Sequence, residues 1–378
     1  MPSNGEYMQK RIVGYDIMKS LSIYLVVLIH FGFYVPVTGD TLVNNFVLIL
    51  TNVGVPLFFM VNGALLFPRS LDIKRHYIKT ARIIALTLSW KVISAFIMGC
   101  IVHRNPFHLG KAAFVHYLLF GNLEGFDLGH FWFMNVLIML YLIFPILKIC
   151  FDSEMGREAL RCLLVIILCF TVGASAFDIL AAAASHFLGI TPFSITGDLS
   201  QINPFGTYGY TLLYFIGGGL LSREGLGTLI RDGANKAPSR LALSISFALG
   251  WLLLLLTWWF QRLSQSSPFT VVGGYWNIAT VIMSFSLFGC CTSLKCQSKN
   301  LCAIFKVIGD NTLGIYFTHM FALVSLYRLI ASSDFASVFD MKLPLPIDLG
   351  LVMLICLACL LVSIFFRKVP LLRALFKL

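Results

Sequence analysis

Apolar runs long enough to cross a bilayer recur from one end of this chain to the other, and this feature limits the possible folds most. A helix needs ~20 residues to span the hydrocarbon core of a membrane. Because 58% of the residues are hydrophobic and only 12% are charged, the chain has too few polar groups to cover a soluble domain. The sequence therefore predicts an all-α integral membrane protein with about ten transmembrane helices, at 17–37, 44–67, 82–102, 131–151, 162–178, 206–222, 240–260, 272–293, 302–330 and 347–366.

The distribution of lysine and arginine predicts the orientation of these helices. If the N-terminus is cytoplasmic, the outer segments hold few of the 28 cations, namely Arg104, Lys111, Arg262, Arg328 and Lys342. Inner segments of membrane proteins carry the excess of lysine and arginine. The pattern thus predicts that the N- and C-termini are both cytoplasmic. The net charge of +11 follows from this bias and gives no support for nucleic-acid binding.

The whole chain, residues 1–378, is predicted to form one membrane domain without a separate soluble domain. Its first apolar run contains charged residues and no small-residue cleavage pattern, so we expect an uncleaved first span rather than a signal peptide. Most cysteines lie within spans or on the inner side, which predicts that no disulfides form. The adjacent Cys290 and Cys291 lack the spacing of a zinc site, and we expect no metal site.

The first span carries Asp16, Lys19 and His30. Lys19 and His30 are eleven residues apart, which places them within ~20° on one helix face and ~16 Å apart along the axis. Asp16 lies one turn before Lys19 and is expected to pair with it. Ionisable groups inside a membrane are costly and mark functional sites, and a histidine can take and return a proton near neutral pH. Alternatively, Lys19 reaches the inner headgroups and His30 only hydrogen-bonds between helices.

Two other spans carry polar and aromatic residues that are candidates for a site. Tyr316 and His319 lie on one face of the ninth span, and His130 and Trp132 begin the fourth. These residues could contact a substrate. The alternatives are that His319 is an interhelical hydrogen-bonding group and that His130 and Trp132 belong to an interfacial aromatic belt.

At these residues the chain resembles membrane-bound acyltransferase family 3, the bacterial sugar O-acyltransferases. The family opens with an acidic residue, then Arg, ten residues, then His, which corresponds to Asp16, Lys19 and His30. The family phrases "vPlFFmiSGyll", "HlWFl…lY…P", "YfilGg" and "lg..slgiYliH" follow in order at 55–66, 130–145, 214–218 and 308–319.

Two positions depart from the family pattern. Lys19 replaces the commoner arginine and so lacks a planar fork of hydrogen-bond donors. Asn62 replaces the usual serine before Gly63, which keeps a polar group but changes its reach.

The resemblance implies transfer of an acetyl group from cytoplasmic acetyl-CoA, a substrate rather than a bound cofactor, to a hydroxyl of a cell-envelope or exported sugar. It also implies the bacterial cytoplasmic (inner) membrane as the location. The alternative function is a transporter or flippase of a lipid-linked sugar, because proton-coupled carriers also use intramembrane His and Lys.

The expected site has three parts. His30, as general base or transient acyl carrier, works with Lys19 and Asp16 at the catalytic centre. Donor binding is assigned to the inner basic cluster and one amide, namely Arg69, Lys74, Arg75, Lys79, Arg82 and Asn62; the alternative is that these cations only set the topology. The acceptor side is assigned to His130, Trp132, Glu124, Asp127, Tyr316 and His319.

Overall fold

Helices and the loops between them make up the part of the chain that the structure describes, with no strand among those residues. The structure is a computed structural model that describes residues 11–34, 47, 49–190, 195, 203–230, 238–263, 274–294, 298–331, 345–370 and 373. These residues form twelve α-helices, in chain order: α1 Val13–Tyr34, α2 Gly54–Leu66, α3 Ile73–Val102, α4 Lys111–Phe120, α5 Trp132–Asp152, α6 Glu154–Ile167, α7 Ala174–Leu188, α8 Tyr210–Ile230, α9 Arg240–Leu263, α10 Ile278–Thr292, α11 Lys299–Ala331 and α12 Leu345–Lys368.

Three short helical turns extend these helices. A 3-10 turn at Ile49–Val53 leads into α2, another at Gly129–Phe131 leads into α5, and a π-helical turn at Leu168–Gly173 joins α6 to α7. The all-α prediction is confirmed for the described residues.

Seven helical segments among these residues are long and apolar enough to cross a membrane. They are Val13–Gly32, Ile49–Leu66, Ile73–Val102, Gly129–Asp152, Glu154–Leu188, Arg240–Trp259 and Leu345–Lys368. The chain is therefore a multi-pass membrane protein. The count of ten spans stays a prediction.

Helix boundaries differ from the predicted spans mainly at the polar ends. α3 begins at Ile73 rather than at residue 82, because Asp72 caps its first turn by accepting a hydrogen bond from the Arg75 amide at 2.9 Å. The basic segment before the third apolar run is thus helical, which fixes the direction in which each cation points. α10 begins at Ile278 rather than at residue 272, because the Asn277 side chain caps it.

α1 is the central helix of the described structure. It packs against α2, α10, α11 and α12. By contrast, α9 and α12 carry many exposed apolar side chains, such as Leu252 on α9 and Leu361 on α12. An exposed apolar surface of this kind is the face that a membrane protein turns toward lipid.

The expectation that no disulfides form was wrong at one position. Cys302 is disulfide-bonded, whereas eight other described cysteines are free thiols. The expectation was based on the side of the membrane on which each cysteine lies. That side determines the redox environment, but it does not determine whether two thiols lie within bonding distance.

α2 and α8 cross with their backbones in direct contact. A methyl group at Gly218 would overlap the Met60 carbonyl, and one at Gly63 would overlap the Phe215 carbonyl. Small residues allow such close approach of helices within a membrane. The fold therefore depends on glycine at both positions.

We predict that Gly218→Ala lowers stability by about 1–3 kcal/mol, because the backbone that it would overlap cannot move aside. The measurement is the thermal unfolding midpoint of the purified protein in detergent. Gly350→Ala is the control, since a methyl group there meets no described atom within 4 Å. Equal midpoints for the two variants would contradict the predicted close contact.

Candidate functional site

Three histidines from three separate elements converge inside the helical bundle. His30 comes from α1, His130 from the 3-10 turn before α5, and His319 from α11. The ring centroids lie 5.1 Å apart for His30 and His319, 5.3 Å for His130 and His319, and 6.3 Å for His30 and His130. We call these residues the histidine cluster.

Hydrogen bonds to the backbone fix two of these rings. Nδ1 of His30 donates to the Val26 carbonyl at 2.7 Å, and Nδ1 of His319 donates to the Tyr316 carbonyl at 2.6 Å. Since a carbonyl only accepts, each neutral ring carries its proton on Nδ1 and its lone pair on Nε2. Nε2 of His319 has no hydrogen-bond partner among the described residues. The lone pairs on Nε2 of His30 and of His319 can therefore accept a proton.

A small cavity adjoins the cluster, and we call it the histidine cavity. Its volume is ≈ 160 Å³, and its walls are largely apolar and aromatic. It is lined by Val26, Ile29, His30, Val55, Phe58, His130, Trp132, Phe133, Tyr275 and Tyr316. Among the described residues, no three His, Cys, Asp or Glu side chains are arranged to hold a metal ion.

Buried polar contacts hold the His130 segment in place. The Tyr316 hydroxyl donates to the His130 carbonyl at 2.7 Å. The fully buried ammonium of Lys91 donates to the Leu118 carbonyl at 2.7 Å and to Oδ1 of Asn135 at 2.9 Å. It also lies 6.0 Å from the centroid of the Phe131 ring. A buried charge needs such partners, so Lys91 joins α3 firmly to the start of α5.

Aromatic rings surround one side of the histidine cavity. Trp132 is stacked with Tyr208 at 5.2 Å and with Tyr275 at 5.8 Å, and Tyr210 contacts both Tyr275 and Trp276. Tyr208 and Trp276 are the exposed members, with 43% and 37% of their surface accessible. This aromatic group therefore continues from the cavity wall to the protein surface.

A much larger cavity, of ≈ 1120 Å³, opens at the other end of α1. We call it the inner cavity. Its polar walls include the cations Lys19, Arg69, Arg75 and Lys79. None of these four has a carboxylate within ion-pair distance among the described residues. Together with Arg11 they outnumber the three carboxylates of the wall, Asp16, Asp72 and Asp310, so the described lining of the inner cavity has a net positive charge.

Arg11 forms ion pairs with two carboxylates at this end of α1. Its guanidinium makes a salt bridge to Asp16 at 2.6 Å and another to Asp310 of α11 at 2.8 Å. The hydrogen bond to Asp16 raises the pKa of the Arg11 guanidinium above its ordinary value. We expected Asp16 to pair with Lys19, but the bidentate geometry of arginine suits a carboxylate better than a lysine ammonium does.

The structure separates the expected donor-binding residues into three groups. Arg69, Arg75 and Lys79 line the inner cavity. Lys74 and Arg82 are exposed on α3 and do not line it, because a helix turns neighbouring side chains in different directions. Asn62 lies between the two cavities on α2, where its Oδ1 accepts a hydrogen bond from Tyr141 at 2.8 Å.

The expected acceptor-side residues are likewise divided. His130, Trp132 and Tyr316 line the histidine cavity, and His319 adjoins it through its contact with His30. Glu124 and Asp127 are exposed on the loop that precedes His130 and do not line the cavity.

Sequence reasoning missed several residues of the site. Arg11 and His76 line the inner cavity, and Tyr275 lines the histidine cavity. Arg11 precedes the first apolar run, so its position gave no sign that it would fold back onto Asp16. Tyr275 lies outside any helix, so helical periodicity could not indicate its direction.

Comparison with known proteins identifies the family of this chain. The family model described as an acyltransferase domain, that of acyltransferase family 3, matches residues 12–367. The chain therefore belongs to acyltransferase family 3. Comparison with curated proteins and with solved structures gives no match.

We predict that Arg11→Gln destabilises the protein by about 2 kcal/mol, because it leaves the buried Asp16 carboxylate without its partner. Adding Asp16→Asn should restore part of this loss, since the double variant has no unpaired charge. The measurement is thermal unfolding of the two single variants and the double variant in detergent. A double variant as unstable as the sum of the singles would show that the two residues are not coupled.

Proposed function

We propose that this acyltransferase moves an acetyl group from cytoplasmic acetyl-CoA to a hydroxyl of a cell-envelope or exported sugar at the outer face of the membrane. The membrane would be the bacterial cytoplasmic membrane. In this proposal the chain crosses it ten times, and both termini are cytoplasmic, as the positive-inside rule predicts.

One observation carries the proposal: two cavities of opposite character lie at the two ends of α1. Lys19 faces the cationic inner cavity, and His30 faces the small histidine cavity. Eleven residues of helix separate them, which corresponds to ~16 Å. An elongated donor with phosphates at one end and a thioester at the other fits this spacing.

The inner cavity suits the phosphates of coenzyme A. Four cations line it without a carboxylate partner among the described residues, namely Lys19, Arg69, Arg75 and Lys79. Lysine and arginine form charge-assisted hydrogen bonds to phosphate oxygens. The Arg11 salt bridges contribute indirectly, because they keep Asp16 and Asp310 from pairing with Lys19.

The histidine cavity suits the reacting carbonyl. A cavity of about 150 Å³ holds a molecule the size of benzene, so the observed ≈ 160 Å³ fits a short acyl group beside the attacking hydroxyl better than a long chain. Its apolar walls exclude water, which favours transfer over hydrolysis.

The proposed chemistry is a single acyl transfer with His30 as general base. Nε2 of His30 takes the proton of the sugar hydroxyl while that oxygen attacks the thioester carbonyl carbon. The tetrahedral intermediate then breaks its C–S bond, and His30 returns the proton to the departing thiolate. The adjoining His319 and His130 rings place further proton acceptors around the reacting atoms.

The aromatic group at the histidine cavity suits a sugar acceptor. The C–H faces of a pyranose ring pack against aromatic rings, and the tyrosine hydroxyls hydrogen-bond to its oxygens. Tyr208 and Trp276 offer exposed rings, while Trp132 and Tyr275 continue them to the cavity. Glu124 and Asp127 are exposed on the loop before His130. Their carboxylates are positioned to accept hydrogen bonds from sugar hydroxyls. The family assignment favours this function over a transporter or flippase.

We predict that His30→Ala abolishes acetyl transfer, with a loss of at least about 100-fold, because general base catalysis contributes 10²–10⁴. The measurement is the release of free thiol from acetyl-CoA by detergent-purified protein supplied with oligosaccharides. His116→Ala is the control, since His116 is exposed on α4. A folded His30→Ala protein with normal turnover would refute the assignment of His30 as the base.

We also predict that Lys79→Met weakens acetyl-CoA binding about tenfold, or ~1.4 kcal/mol. The reason is that Lys79 lines the inner cavity, whereas Lys74 on the same helix does not. Lys74→Met removes the same charge and is therefore the matched control, with an expected change below about twofold. Calorimetric titration measures both affinities, and equal effects would mean that only the overall charge matters.

A further inference from the structure

Two hydrogen-bonded side chains, from α5 and α2, lie between the two cavities and have no role in the reaction proposed above. The Tyr141 hydroxyl of α5 donates to Oδ1 of Asn62 of α2 at 2.8 Å. The Asn62 amide donates in turn to the Phe58 carbonyl at 2.8 Å. Phe58 lines the histidine cavity, so the pair connects directly to its wall.

Both residues lie between the inner cavity and the histidine cavity along their helices. On α2, Asn62 is one turn from Phe58 of the histidine cavity and one turn from Leu66 of the inner cavity. On α5, Tyr141 lies between Phe133 of the histidine cavity and Phe144 of the inner cavity. A donor that reaches from one cavity to the other therefore crosses the level of this pair.

A further polar group contacts this pair from the side of the inner cavity. His76, which lines the inner cavity, donates from Nε2 to the Tyr141 carbonyl at 2.7 Å. The Tyr141 backbone is therefore tied to a residue of the inner cavity wall.

We propose that Asn62 and Tyr141 recognise an amide group in the arm of the acyl donor. The pair offers one hydroxyl donor and one amide oxygen acceptor, which match the carbonyl and the N–H of a single amide. When an amide enters between them, Tyr141 donates to its carbonyl and its N–H donates to Oδ1 of Asn62. One hydrogen bond is exchanged for two, so no buried polar group is left unpaired.

This inference rests on the proposed function and adds a specificity element to it. An alkyl chain entering at the same level would break the Asn62–Tyr141 hydrogen bond without replacing it. The pair therefore favours thioesters whose arm carries an amide over thioesters whose arm is a simple alkyl chain. A site built to hydrogen-bond a substrate discriminates strongly against an analogue without those groups.

The test compares two small donors that lack phosphates, S-acetyl-N-acetylcysteamine and S-pentyl thioacetate. Thiol release gives kcat/KM for each donor and for acetyl-CoA, with the same oligosaccharide acceptors. We expect Asn62→Leu to lower kcat/KM about tenfold for acetyl-CoA and for the cysteamine donor, and to change it less than twofold for the pentyl donor. Tyr141→Phe, which is nearly isosteric, should show the same selectivity if the leucine variant folds poorly.

Tyr24→Phe is the matched control, because the Tyr24 hydroxyl donates to the Leu349 carbonyl at 3.1 Å outside both cavities. It should affect all three donors equally. An equal loss with amide and alkyl donors in the Asn62 and Tyr141 variants, or no loss with any donor, would overturn the amide recognition while leaving the acetyl transfer standing. A wild-type protein that consumes none of the three thioesters would instead refute the proposed function, and this inference with it.

Discussion

The central position of α1 is the constraint on which the rest of the site depends. Four helices pack around it, so its polar side chains cannot escape into lipid and must meet protein groups or cavities. Arg11 neutralises Asp16 at one end and also bridges to Asp310. Lys19 therefore faces the inner cavity. Further along α1, His30 contacts two histidines from other elements, His130 and His319. One helix thus places a cationic surface and a basic nitrogen at a fixed separation.

The two cavities adjoin the two ends of that helix and differ in size and in charge. The inner cavity is large and its described lining has a net positive charge, which attracts an anionic ligand from solution. The histidine cavity is small and apolar, which under the proposed function suits a short acyl group. Buried contacts from Lys91 and Tyr316 hold the His130 segment, so the histidine cavity is shaped partly by Lys91, which does not line it.

The all-helical membrane fold could be predicted from the sequence, because membrane helices depend on local composition. The common face of Lys19 and His30 follows from helical periodicity alone. The convergence of His130 and His319 on His30 could not be predicted, since it depends on how distant helices pack. Nor could the sequence distinguish Lys79 from Lys74, because their directions depend on where α3 begins.

A structure of the protein with a non-hydrolysable thioether analogue of acetyl-CoA tests the central claim most directly. The account predicts that the phosphates lie in the inner cavity near Lys19, Arg69 and Lys79. It also predicts that the arm passes Asn62 and Tyr141, and that the acetyl carbonyl lies within hydrogen-bonding distance of the His30 ring. An analogue held entirely within the inner cavity, with its acetyl group far from His30, would contradict it.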